Sequence, residues 1–202
     1  DRQKHVLDDV DKLGPSLHRI AEEDPTLDVH RDEGTGETIM AGMGDAHVEV
    51  ASERMKRKFG VDVNIGLPVV PYRETITAKV DRAHYRHKKQ TGGHGQFADV
   101  VLELEPLSEG FEFGDRVVGG VVPKNFIPAV EKGIRETLGE GVLAGYPVVN
   151  VRAVLYDGSF HPVDSSEMAF KLASSQAFRE GLKLGHPVLL EPVMTLKITV
   201  PD

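Results

Sequence analysis

Apolar residues at Val10, Leu13, Leu17, Ile20 and Ala21 recur at the three- and four-residue spacing of a helix. Pro15 falls inside this run. An interior proline costs about 3 kcal/mol, so the pattern predicts a turn, with Gly14 and Pro15 opening the main helix and Asp24 and Pro25 closing it. The stretches "TLDVHRD" and "ETIMAG" flank "EGTG" and predict a β-hairpin. "DAHVEVASERMKRKFG" then sets Val48, Ala51, Met55 and Phe59 on one helical face, with Gly60 as its stop, and "VDVNI" alternates as a closing strand over 61–65. The order α-β-β-α-β becomes a split βαββαβ sandwich if one more strand precedes residue 1. The expectation is therefore an incomplete α/β sandwich lacking its first strand, in a chain cut from a longer one. At the far end "EPVMTLKITVPD" reads as a strand that opens a further domain, which gives the same expectation.

From "PYRETITAKV" onward a second unit of about 120 residues is predicted, by the same periodicity rules. Strands fall near 75–90, 96–105 and 111–121, followed by a helix that turns Phe126, Val130, Ile134 and Leu138 inward and by a strand at "VVNVRAVLY". A final helix buries Phe170, Ala173, Ala177 and Phe178. Asp164 and Glu167 in "DSSE" stand three apart, as a capping box at its start requires.

Charge changes this picture at one place. The chain carries a formal net charge of −8, yet from Arg82 to Ala98 it holds Arg82, Arg86, Lys88 and Lys89 and no acidic residue. A local basic element on an acidic body permits a nucleic-acid partner at a defined place; its alternative is an edge strand guarded by lysines. No apolar run approaches the roughly 18 residues that cross a bilayer, and "DRQKHVLDDV" is too charged for a signal peptide, so a cytoplasmic protein without a membrane partner is expected. The chain has no cysteine, which excludes disulfides and thiolate zinc sites.

Catalytic signatures are few. The dipeptide Gly-Lys of a phosphate-binding P-loop does not occur, and "GTG", "GMG", "GGHG" and "GEG" all miss the dinucleotide fingerprint, so they read as turns. His84 and His87 stand at an odd separation that sends them to opposite faces of a strand, against a shared metal. Ser159, His161 and Asp164 are the residue types of a nucleophilic triad. They are too close in one loop to adopt that geometry readily, and no G-x-S-x-G elbow accompanies them. A small-molecule enzyme using residues 157–164 is thus a distant alternative. What remains are two loops, 85–97 and 157–163. Arg86, Lys88 and Lys89 supply charge; Gln90, Thr91, Gln96 and His161 supply directional contacts; Gly92, Gly93 and Gly95 let the backbone come close.

The stretches "EEDP", "AGMGDAHVEV", "RMKRKFGVDVNIGLPVVPYRETI", "KKQTGGHGQF", "VVGGVVPKNFIPAVEKGIRE", "LAGYPVVNVRAVLYDGSFHPVDSSEMAFKLA" and "HPVLLEPV" together resemble the elongation factor G family of translational GTPases, in the same order through nearly the whole chain. The resemblance implies an α+β chain: residues 1–68 a domain III of ferredoxin-like type, 69–190 a domain IV of ribosomal-protein type with a left-handed βαβ crossover, and 191–202 the first strand of a domain V. It implies that the GTPase domain, with its GTP and magnesium, lies outside this chain, leaving no cofactor and no catalysis here. It implies a monomer whose domain IV enters the small-subunit decoding site of the ribosome and supports the tRNA–mRNA duplex during translocation. The tip loops would be 88–97 and 158–164, so Arg86, Lys88, Lys89, Gln90, Thr91, Gly92, Gly93, His94, Gly95, Gln96, Ser159, His161 and Asp164 are the candidate RNA-contacting residues, with Gln96 and His161 matching the family's tip glutamine and histidine. His94 stands where arginine is usual and Pro162 where aspartate is common, a variant similar to that of elongation-factor-G-like paralogues, which implies ribosome recycling, rescue or antibiotic protection as the alternative role.

Overall fold

The helix that the pattern starts at Gly14 instead runs unbroken through Pro15. In a computed structural model, which describes residues 2–32, 34–90 and 95–193 and residues 2–11 by their backbone alone, α1 spans Arg2–Glu23. Pro15 is exposed, while Ser16, Leu17 and Ile20 are buried, so the ring and the hydrogen bond it forgoes fall on the solvent side of the helix. The chain divides into two compact units, residues 1–71 and 72–202.

In the first unit α1 is followed by the expected hairpin, β1 (Asp28–Arg31) paired antiparallel with β2 (Thr38–Ala41), and by α2 (Asp45–Phe59). Gly60 ends α2 in the left-handed region at φ 69°, where a side chain would be strained. Leu17, Ile20, Leu27, Ala51, Met55 and Val61 form the core. The strand expected at 61–65 does not form. Val61 is buried and Val63 partly so, but the segment makes no ladder among the described residues, and an apolar groove of about 500 Å³ lies between it and β2. Leu13, Leu17, Ile39, Met40, Val48 and Val61 help to line that groove.

A polar clasp closes the unit. His47, in the first turn of α2, donates from Nε2 to Asp24 Oδ2 at 2.9 Å and accepts the Met43 N–H at Nδ1 (3.1 Å). Asp24 also accepts the Thr26 hydroxyl and amide. The Thr26 hydroxyl, with His47 next, holds the Asp24 carboxyl down at about 2.

The second unit is built on a four-stranded sheet of order β4-β5-β7-β6: β4 (Val80–Lys89), β5 (Gln96–Pro106), β6 (Phe111–Asp115) and β7 (Val151–Ser159), with β3 (Arg73–Ile76) and β8 (Pro187–Leu190) forming a separate antiparallel pair. The single strand expected near 75–90 is thus two, and that at 111–121 stops at Asp115. β6 and β7 run parallel, so the connection between them crosses over through α3 (Ile127–Thr137). α3 and α4 (Glu167–Leu184) cover one face, where Val130, Ile134, Phe170, Ala173, Ala177 and Phe178 meet Leu102, Leu104 and Leu155, all fully buried. On the opposite face Lys79, Glu103, Glu105, Arg116, Arg152 and Glu112 link in ion pairs. The Lys79 contact lowers the Glu105 carboxyl and raises the Lys79 ammonium, as each favours its charged form.

Two corrections concern the ends of elements. α4 is capped by Ser166, whose hydroxyl accepts the Ala169 N–H at 3.2 Å, and not by Asp164, whose carboxylate is used elsewhere. The strand expected over 191–202 lies outside the described residues beyond 193, and residues 191–193 carry no regular structure.

Glu74 is a buried carboxylate in this unit, 2% exposed. Burial pushes it up, but the N–H groups of Leu143, Ala144 and Tyr146, at 2.9, 2.7 and 3.1 Å, outweigh that and hold it below its ordinary range. It thereby pins the loop after α3 to β3.

Candidate nucleic-acid interface

The ladder of β4 and β5 pairs Lys89 with Gln96 and works inward to Arg86 opposite Asp99; that of β5 and β7 pairs Asp99 with Ser159. The turn joining β4 to β5 and the loop leaving β7 therefore lie at the same end of the sheet. The two loops that the sequence singles out meet.

Hydrogen bonds stitch them together. Asp164 accepts the Gly95 N–H on Oδ1 at 3.0 Å and the Phe97 N–H on its backbone carbonyl at 2.9 Å. Ser165 Oγ donates to the Phe97 carbonyl at 2.7 Å and accepts the His161 N–H at 2.9 Å. The rings of Phe97 and His161 meet edge to face at 6.3 Å. A Cβ on Gly95 would lie 3.0 Å from the Asp164 carboxylate, so a larger residue there has to displace that carboxylate.

His161 receives the N–H groups of Val163 and Asp164 on Nδ1, at 3.3 and 3.2 Å. A ring nitrogen that accepts carries no proton, which assigns the proton of the neutral ring to Nε2 and leaves that N–H as a donor on a side chain about half exposed. Gln96 accepts from His87 Nε2 on Oε1 at 2.9 Å, so its amide NH₂ remains to donate. Lys88, Lys89 and Gln90 are exposed, and among the described residues neither lysine has a carboxylate within 4.0 Å.

Arg86 is placed differently from the lysines. Its Nε and NH2 bind Asp99 Oδ2 at 2.7 and 2.6 Å, while His84 Nε2 meets Asp99 Oδ1 at 2.7 Å and Ser159 Oγ donates to the same aspartate at 3.4 Å. Asp99 is buried, so its charge is compensated by three donors in one plane of the sheet. Ser159, His161 and Asp164 consequently do not form a relay: the serine hydroxyl goes to Asp99, and His161 Nδ1 faces backbone amides. His84 and His87 have different partners, as their spacing requires. Thr91, Gly92, Gly93 and His94 lie outside the described residues.

Asp99 and Ser165 are the residues that motif reading missed. The signal for Asp99 was present, since a lone acid in the apolar run "FADVVL" faces Arg86 once the hairpin is counted inward from its glycines. Ser165 carried none. Chemically, the end of the sheet is an array of donors and cations in which Asp99 and Asp164 are already occupied and Asp157 accepts the Gly158 N–H, an arrangement suited to phosphate and ribose oxygens.

Residues 4–67 match the family model described as elongation factor G domain III, and residues 68–186 that of elongation factor G domain IV. The chain is 52% identical over 196 residues to an elongation factor G-like protein of Thermotoga maritima, covering 96% of this chain and 29% of that protein. It is also similar to a crystal structure of a Thermus thermophilus protein, with a TM-score of 0.75 and 47% identity, over 90% of this chain and 27% of the other.

Proposed function

This chain belongs to the elongation factor G family, and from that premise we propose that its second unit is an RNA-contacting arm. The arm enters the small-subunit decoding site, where loops 88–97 and 158–164 hold the tRNA–mRNA duplex by ribose and phosphate and block its backward slippage. The family's GTPase domain, with GTP and magnesium, lies outside this chain and times the arm's arrival and departure. The protein works as a monomer in the cytoplasm. The observation that carries this reading is the stitching of the two loops at one end of the sheet, with Lys88, Lys89, Gln96 and His161 presenting donors there.

In the full-length protein, His161→Ala is expected to slow translocation while leaving ribosome-stimulated GTP hydrolysis near its original rate. Equal loss of both rates would defeat the assignment. His94 and Pro162, and the elongation-factor-G-like name of the Thermotoga relative, favour a second reading in which the same ribosomal site is used for recycling or rescue. A translocation assay run beside a ribosome-splitting assay separates the two.

A further inference from the structure

We infer that Asp164 is a positioning residue, the latch that seats the basic loop against the histidine loop, and that it acts on RNA only through the groups it holds. This rests on the RNA-contacting reading above. An acid at the phosphate-facing end of an arm is opposed by charge unless it has other work, and Asp164 has three attachments. Its Oδ1 takes the Gly95 N–H, its carbonyl takes the Phe97 N–H, and its own N–H is given to His161 Nδ1. The first two fix where the chain re-enters β5 after the basic turn. The third fixes the tautomer of His161, and with it the direction in which Nε2–H is offered. One residue therefore sets the relative placement of the charge supplied by Lys88 and Lys89 and the directional donor supplied by His161.

The side chain is needed as an acceptor, not as a charge. Amide replacement keeps an oxygen for Gly95 and turns an NH₂ toward His161 Nδ1, which lies 3.5 Å from Oδ2. The two backbone attachments survive substitution, so D164N is expected to keep the Gly95 bond that completes the latch and D164A to lose it. Gly95→Ala should open it from the other side, because its new methyl would lie 3.0 Å from the carboxylate.

The test uses the full-length protein and vacant ribosomes, with affinity, its salt dependence, and hydrogen–deuterium exchange of the segment containing Gly95 and Phe97 as readouts. D164A and G95A are expected to weaken binding about tenfold and to speed exchange in that segment, the loss that follows from removing the acceptor of one hydrogen bond and from the disorder this permits. D164N should bind within about twofold of the original protein and exchange as slowly. The proposal is overturned if D164A binds and exchanges like the original, or if D164N is as impaired as D164A, which would make the charge itself the active property. A Lys88→Ala, Lys89→Ala double variant separates this from the premise. If that variant binds with unchanged affinity and salt slope, the RNA reading fails; the latch is then decided by exchange alone, where acceleration in D164A that is absent in D164N upholds it and any other pattern ends it.

Discussion

The two units are made from similar material, helices with one apolar stripe and strands with one apolar face, and they end in different states. The second closes a four-stranded sheet under two helices. The first keeps a two-stranded ribbon and, among the described residues, a smaller core beside a groove. Val61 shows why: it is 1% exposed, as deeply buried as a core strand residue, yet its segment makes no ladder. Side-chain burial and backbone pairing are separate requirements, and an alternating pattern secures only the first.

The largest expected effect tests the depth of the two cores. Phe178→Ala should cost about 4 kcal/mol in urea denaturation, because Phe178 is fully buried between α4 and the sheet, whereas Met55→Ala, beside a core with a groove to relax into, should cost about 2 kcal/mol. Equal losses would break the contrast. Next comes Glu74→Ala, which removes the shared acceptor of three part-buried amides and should cost about 2 kcal/mol. Because Glu74 is held below its ordinary 4.5, its contribution is complete above that pH and is lost as pH falls beneath it. Ser166→Ala removes the α4 cap and should cost about 1 kcal/mol, and Asp164→Ala should leave that cap intact, which circular dichroism on both variants would check. The smallest effect belongs to the clasp of the first unit. Asp24 sits at about 2 against an ordinary 3.8, so its support is present above 3.8 and fades as pH drops toward 2. An acid titration of stability should show it, and Thr26→Ala, which removes the largest contributor, should shrink that part of the transition more than His47→Ala does; an acid limb unchanged in both variants would show the clasp to be idle.

Helices were the most legible features in the sequence, since the faces read from Ala51, Met55, Val130 and Phe178 are the faces that are buried. Pro15 misled because its penalty depends on which side of the helix it occupies, and a one-dimensional pattern does not carry that. The 61–65 segment misled because a strand is a property of two segments. At the tip, the glycines, the lysines and His161 were visible one loop at a time. The stitching between the loops was not, because Ser165 and Asp164 look like ordinary helix-start residues until β5 is laid beside them.

Because two of the contacts between the loops run from the side chains of Asp164 and Ser165 to the backbone of Gly95 and Phe97, neither loop is a transferable part. A hairpin carrying a larger residue before the Gln96 position, moved into a relative, would arrive with its cations intact and its seat displaced. Chimeras that exchange residues 85–97 should be made together with 159–166, and divergence in one segment constrains what the other can become.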